Sequence, residues 1–422
     1  MKAVILAAGK GTRLWPLTDN TPKPLLPVAG RPLLEWMILR MREAGVKDMM
    51  IVTNYLEEQI RAAFGDGSSR GVNIAYAHQA EMLGTADAFK AAEEWIHGDT
   101  FLGLYGDHYL SEGALRKVVE DHREGEVTVA ALKVKDPSQY GAFALDGDQV
   151  KRVVEKPPKG QEPSSYANVG IYVFPPEVFK YIAGTPKSAR GEHEITDTLQ
   201  LMIDGGVTVR KHDLEERDWL DIGLPWTLLE ANERAMAGLE NKVEGTVEEG
   251  AHLHGPVWVR RGARVRSGSY IEGPAVIGED SDVGPNCYIR AGTCLGRGVR
   301  VGNACEVKNS IIMDGTHAAH LSYIGDSVLG RNCNLGAGTI TANLRFDKSN
   351  IEVMVKGERL NSGRRKLGAI MGDNVQTGVN VSIHPGVMVG SDAWIAPGLI
   401  IQKDVPCKVI KFTLPENKEK QR

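Results

Sequence analysis

The feature that most limits the fold is a run of aliphatic residues at every sixth position. Val247, Leu253, Val259, Val265, Ile271, Ile277, Val283, Ile289, Leu295, Val301, Val307 and Met313 keep this spacing without a slip. An amphipathic helix returns its apolar stripe after three or four residues, so it cannot produce this register. A strand alternates every two residues, and six is a multiple of two, but so long a register needs a further constraint. Glycine often follows the rung (Gly278, Gly284, Gly296, Gly302), and small residues stand two before it (Ala263, Ser269, Ala275, Ser281, Cys287). Short strands that each meet a corner and stack coil on coil give this pattern, a hexapeptide parallel β-helix. A series of ordinary β-hairpins would not hold the frame.

The frame breaks after Met313, resumes at Tyr323, Leu329 and Leu335, and resumes again at Met371, Thr377, Ile383, Val389, Ile395 and Ile401. The stretch from Asn343 to Gly368 is too polar and basic for coils, and is expected to leave the solenoid as a loop. Function tends to sit at such a break, because interior stacking has been given up there.

At 422 residues the chain should hold two domains or more. A hydrophobic fraction of 42% and a charged fraction of 25% suit a soluble globular protein. A formal net charge of −4 gives no reason to expect nucleic acid or a membrane as partner. The apolar start, Ala3 to Leu6, is too short for a signal peptide, and no apolar run approaches a membrane span. Five cysteines lack metal-ligand spacing, and Cys287, Cys305 and Cys333 fall on the small inward position of the β-helix. They read as reduced structural thiols in a cytoplasm.

At the amino end, Ala3 to Ala8 reads as a buried parallel strand running into Gly9-Lys10-Gly11-Thr12-Arg13. Glycines after a strand let backbone N–H groups wrap a phosphate, and the cations add charge. The segment is neither a P-loop nor a dinucleotide fingerprint, whose spacings it lacks. Thr21-Pro22-Lys23-Pro24-Leu25-Leu26-Pro27 is proline-stiffened and holds Lys23 in place. Residues 33–41 should be helical, 48–53 extended, 73–78 extended, 85–96 helical, and 100–106 a strand ending in Asp107. This alternation predicts an α/β sheet with its ligand beyond the carboxyl ends of the strands.

Leu6-Ala-Ala-Gly-Lys-Gly-Thr-Arg-Leu14 with Pro22-Lys23-Pro24 resembles the signature of sugar-phosphate nucleotidylyltransferases over about the first 230 residues. The resemblance implies a Rossmann-like domain in which Ala8, Gly9 and Gly11 cradle phosphate, and Gln79, Gly84 and Thr85 read the nucleobase. It places Mg2+ on Asp107 and Asp221, and the sugar on Gly141, Glu155, Lys156 and Asn168. A nucleoside triphosphate and a sugar 1-phosphate are both polyanions, and the attacking phosphate is already anionic. Catalysis is then placement and electrostatics, with Arg13 and Lys23 offsetting charge in the transition state. The segment 192–197 also matches the family but receives no chemistry.

Ala319 to Asp326 and Leu335 to Asn343 are similar to the acetyltransferase half of the bifunctional enzymes that make UDP-N-acetylglucosamine. That resemblance implies a left-handed β-helix, which periodicity alone cannot assign, and a homotrimer. It makes His320 the general base on a sugar amine, since imidazole titrates near neutral pH. Arg290, Lys308 and Tyr323 would hold the sugar phosphate. Asn334 and Asn343 would position the sugar and its amine, and the Ala337 backbone would seat the acetyl group of acetyl-CoA. The long loop 344–368, with Lys348, Lys356, Arg359, Arg364, Arg365 and Lys366, resembles archaeal bifunctional sugar-1-phosphate nucleotidylyltransferase/acetyltransferases. It either reaches coenzyme A phosphates or a neighbouring subunit, or is a solvated loop. The expected layout is a nucleotidylyltransferase domain at 1–228, a linker helix at 229–245, the β-helix at 246–412 and a disordered tail at 413–422. The nucleotide is UTP, dTTP or both. The rival to a bifunctional enzyme is a nucleotidylyltransferase on a structural β-helix.

Overall fold

The computed structural model describes residues 1–413, so the tail expected from 413 onward lies, after Thr413, outside the described residues. Two compact units are present. One comprises Met1–Lys10, Pro22–Leu25 and Leu33–Asp221; the other comprises Gly11–Thr21, Leu26–Pro32 and the chain from Ile222 on.

The first unit is built on a nine-stranded sheet: β1 (Lys2–Leu6), β2 (Asp48–Thr53), β3 (Asn73–His78), β4 (Phe101–Tyr105), β5 (Val127–Lys133), β6 (Gly141–Asp146), β7 (Gln149–Glu155), β8 (Tyr166–Phe174) and β9 (Val209–Leu214). Their order is β3-β2-β1-β4-β8-β5-β9-β7-β6. Ala3, Val4 and Ile5 are fully buried, as a strand covered on both faces requires. The expected α1 runs from Leu33 to Glu43. The helix expected at 85–96 is instead two: α2 (Thr85–Lys90), then Glu93–Ile96 after a turn that no glycine or proline marks.

The first four strands in space are parallel, with Leu6 level with Val52 and Tyr105, and Thr53 with His78. Their carboxyl ends therefore share one edge of the unit. β8 runs antiparallel to β4 and brings its amino end to that same edge. β7 pairs antiparallel with β6, setting Glu155 opposite Gly141. A short ribbon, His108–Leu110 with Trp219–Asp221, places Asp221 level with His108. One edge thus collects residues from seven strands of a mixed sheet, and β6, β7 and β8, which the sequence did not predict, supply three of them.

The second unit holds a three-sided parallel β-helix. Val247, Val265, Val283 and Val301 stack in one column, Ile271, Ile289 and Val307 in the second, and Val259, Ile277 and Leu295 in the third. The expected frame slips one residue earlier than the sequence indicates. Leu295 stacks on Ile312, Val301 on Ala318 and Val307 on Ile324, so the rungs are Ile312 and Ile324, and not Met313 and Tyr323. The slip was illegible because Ile311, Ile312 and Met313 are all apolar and buried, and the next rung is a small alanine. Each shortened step, Val307 to Ile312 and Ile324 to Leu329, lies at the same corner of the triangle. The inserted loop leaves from that corner too, between the rungs Thr341 and Met371. It forms its own hairpin, Glu352–Val355 with Glu358–Asn361, and buries Ile351, Val353 and Val355.

Candidate active sites

At the shared edge of the first unit, Gly9 and Lys10 are exposed just beyond β1. Gly106 donates its N–H to the Leu6 carbonyl at 2.8 Å, and a Cβ on it would lie 2.7 Å from that oxygen. Only glycine lets the two strand ends close up, and Asp107 follows. A 3-10 turn at Lys23–Leu25, set by its prolines, carries a buried Lys23 whose Nζ sits 2.6 Å from Asp107 Oδ2. The other oxygen, Oδ1, is 3.3 Å from His108 Nε2. Donor atoms of Asp107, His108 and Asp221 all lie within 4.8 Å of one another. Burial lowers the His108 imidazole pKa, which keeps it neutral, and its Nδ1 is buried without a hydrogen-bond partner. Two carboxylates with a neutral imidazole beside them fit a divalent cation. Hard oxygen donors such as Asp107 and Asp221 suit magnesium, which usually keeps several waters.

Beside them, Gln79 is buried and donates from Nε2 to Asp87 Oδ2 at 2.8 Å and to the Gly84 carbonyl at 3.2 Å. With both amide protons engaged, its oxygen is the end left to accept from a ligand. Gly84 adopts φ +116, and a Cβ there would meet the His193 carbonyl oxygen at 2.5 Å. Thr85 Oγ1 accepts the Ile195 N–H at 2.9 Å. The segment at 192–197, given no chemistry on sequence grounds, therefore braces the Gly84–Thr85 turn.

It also reaches Glu155. Thr196 Oγ1 donates to Glu155 Oε2 at 3.1 Å, and Arg190 lies 3.5 Å from Glu155 Oε1. A Cβ on Gly141 would come within 2.9 Å of Thr196 Cγ2 and 3.1 Å of Glu155 Oε2. Lys156, with φ +42, leans 3.9 Å from Glu155. Asn168 is held from both ends: Nδ2 donates to Tyr172 Oη at 2.7 Å and Oδ1 accepts the Gly170 N–H at 3.1 Å. It shapes the irregular step in β8 between Asn168 and Tyr172. Arg13 belongs to the other compact unit, on a 3-10 turn at Thr12–Leu14 that begins at Gly11 in the left-handed conformation, and it is exposed.

In the β-helix, the corner where the frame slips holds the second group. Lys308 Nζ pairs with Asp326 at 2.9 Å, and Asn343 Nδ2 donates both to Asp326 Oδ2 at 2.5 Å and to Tyr323 Oη at 3.1 Å. Asn309 Nδ2 donates to Asp326 Oδ1 at 3.0 Å. Arg290 stands one coil before Lys308, 3.0 Å from Glu306 and over the Tyr288 ring. His320 and Asn334 lie on the preceding face. Both are exposed, and neither side chain makes a hydrogen bond among the described residues. Ala337 gives its carbonyl to the Asn380 N–H at 2.8 Å. Within the loop, Arg364 reaches Glu233 of the helix α3 (Pro225–Met236) at 2.5 Å, so that cation, though partly exposed, is tied to the scaffold.

Comparison with known proteins covers both units. Residues 2–238 match the Nucleotidyl transferase family model, 271–380 the GMPPB C-terminal domain, and 368–403 the Hexapeptide repeat of succinyl-transferase. The Bifunctional protein GlmU of Methanococcus maripaludis is 45% identical over 407 residues, 96% of this chain and 95% of that one. The chain belongs to the bifunctional sugar-1-phosphate nucleotidylyltransferase/acetyltransferases. A member of that description from Sulfurisphaera tokodaii is 38% identical over 96% of this chain and 98% of its own. Among solved structures, a Bacillus anthracis chain named as a glucose-1-phosphate thymidylyltransferase, in complex with sucrose, aligns with a TM-score of 0.51 at 32% identity. It covers 55% of this chain and 94% of its own. With the hexapeptide family, the three parallel sheets are those of a left-handed β-helix.

In this family member the structure joins Lys23, Asp107 and Asp221 in one group, Gln79 with Gly84, and Gly141 with Glu155. It likewise joins Lys308, Tyr323 and Asn343. Sequence reading missed His108, Arg190, Thr196 and Asp326. For His108 and Asp326 the signal was present, since one adjoins Asp107 and the other closes the segment Ala319 to Asp326 that carries the acetyltransferase resemblance. Thr196 lies in the family-matching segment 192–197, which marks the stretch but not its role, and Arg190, which acts across the fold, had no signal.

Proposed function

We propose that the chain acetylates glucosamine 1-phosphate from acetyl-CoA and then joins N-acetylglucosamine 1-phosphate to UTP, releasing pyrophosphate. The observation that carries this reading is the near-complete alignment with bifunctional relatives, which spans both polar clusters at once. The domain limits that go with it are 1–228 for nucleotidyl transfer, 229–245 for the linker and 246–412 for acetyl transfer.

In the first site, Gly9 and Gly11 offer backbone N–H groups to phosphate oxygens and Gln79 faces the base. Glu155 accepts sugar hydroxyls, with Gly141 leaving room for the ring. Arg13 and Lys23 compensate negative charge as the α-phosphorus is attacked. Magnesium on Asp107 and Asp221 would neutralise phosphate charge and hold the reactants in line. In the second site, Arg290, Lys308 and Tyr323 face the sugar phosphate. Asn334 and Asn343 orient the sugar, His320 takes the amine proton, and the Ala337 backbone lies by the acetyl group. The protein works as a cytoplasmic homotrimer. Five unpaired cysteines support a reducing compartment, and no helix among the described residues is long and apolar enough to cross a membrane.

The test is His320→Ala, followed by coenzyme A and pyrophosphate in parallel over a panel of sugar phosphates with UTP and dTTP. Coenzyme A release should fall by about 10²-fold or more, in line with loss of a general base, while pyrophosphate release is retained. An unchanged acetyl-transfer rate would leave a nucleotidylyltransferase carried on a structural β-helix.

A further inference from the structure

Asp326 is among the most buried carboxylates of the molecule, at 3% exposure, and nothing in the proposed chemistry uses it. It adopts φ +46 at the corner where two successive coils each drop a residue. Its backbone is pinned on both sides, the N–H to Lys308 O at 2.8 Å and the carbonyl by Gly368 N–H at 2.8 Å. Its oxygens receive Lys308 Nζ at 2.9 and 3.1 Å, Asn309 Nδ2 at 3.0 Å and Asn343 Nδ2 at 2.5 Å. A buried carboxylate accepts and cannot donate, so it dictates the orientation of every side chain that touches it.

For Asn343 the consequence is chemical. An amide can turn over and exchange its oxygen for its nitrogen at nearly the same shape. Here one amide proton goes to Asp326 and the other to the Tyr323 hydroxyl at 3.1 Å. Turned over, Asn343 would set its oxygen against the Asp326 carboxylate, a repulsive pairing. The oxygen Oδ1 is thereby the end left to a ligand. An acceptor that cannot donate favours an amine, which brings two or three N–H donors, over a hydroxyl, which brings a single O–H and two lone pairs.

We propose that Asp326 is a positioning residue that fixes the Asn343 amide and so selects an amino-sugar phosphate over its hydroxyl counterpart in the acetyl-transfer site. This deepens, and rests on, the reading of the β-helix as an acetyltransferase. Lys308 serves the same arrangement by neutralising Asp326, which lets a carboxylate persist beside a site for a phosphorylated sugar.

The test uses the full-length protein and three chains: wild type, Asp326→Asn, and the exchange Asp326→Asn/Asn343→Asp. Acetyl transfer is read as coenzyme A release from glucosamine 1-phosphate, and selectivity as the ratio of the inhibition constant for glucose 1-phosphate to the KM for glucosamine 1-phosphate. Asp326→Asn lets the Asn343 amide turn, so that ratio should shrink at least tenfold, with pyrophosphate release unchanged as the control for folding. The exchange restores an acceptor facing the ligand and a donor behind it, and keeps the net charge. It should recover most of the ratio even if the single variant proves too unstable to purify. An active wild type whose ratio survives Asp326→Asn overturns the proposal alone, as does an exchange no more selective than the single variant. A wild type that releases no coenzyme A overturns the acetyltransferase reading, and the proposal with it.

Discussion

The pairing of Lys23 with Asp107 shows how much a single contact changes the reading of a residue. On sequence, one was a phosphate-binding cation and the other a metal ligand. In the fold they touch at 2.6 Å, with a neutral histidine behind them. Such a triad is poised for a polyanion that arrives with its cation, since each partner then gains a new counter-charge. Asp107→Asn removes one full charge at constant shape, so nucleotidyl transfer should fall by about 10²- to 10³-fold, the scale of losing one electrostatic stabiliser. Steady-state pyrophosphate release measures it, with acetyl transfer by the same sample as the internal standard. Residue types at this site were readable from the motif. Their partners were not: Asn168 has a sugar-binding residue's identity but turns both its amide ends to Tyr172 and Gly170, which lie along its own strand.

At the scale of elements, the β-helix was legible because its core repeats. Aliphatic rungs recur wherever three coils stack, and fully buried Val265, Ile289 and Val307 fall on the expected frame. The corner slip was not legible, because dropping one residue merely exchanges Met313 for Ile312 among equally apolar neighbours. A stability comparison separates the two frames. Ile312 points into the continuous coil core and Met313 stands outside it, although both are buried. Ile312→Ala should therefore destabilise the coils by about 2–5 kcal/mol, with Met313→Ala costing less. Urea unfolding followed by circular dichroism of both variants is the measurement, and equal losses would restore the frame read from sequence. The mixed sheet was hidden for a different reason. Strand direction is set by which edges meet, as β8 meets β4, and no local pattern in Tyr166 to Phe174 encodes it.

Over the whole molecule the two polar clusters differ in kind, and this difference is itself testable. Asp107, His108 and Asp221 form the one group of three or more metal-capable side chains among the described residues. The β-helix corner instead balances its carboxylate with a lysine and two amides, leaving Asp326 no open coordination for a cation. Removing divalent ions from one sample should consequently split the two reactions. With excess chelator, pyrophosphate release should drop by about 10²-fold or more, because triphosphate charge and reactant alignment lose their cation. Coenzyme A release from glucosamine 1-phosphate should stay within about twofold, since acetyl transfer to an amine needs a proton acceptor and an oxyanion donor and no metal. Restoring magnesium should return the first rate without moving the second. Parallel loss of both would mean that the cation supports the β-helix site as well, and the division of labour between a metal-bearing sheet edge and a metal-free coil corner would fail.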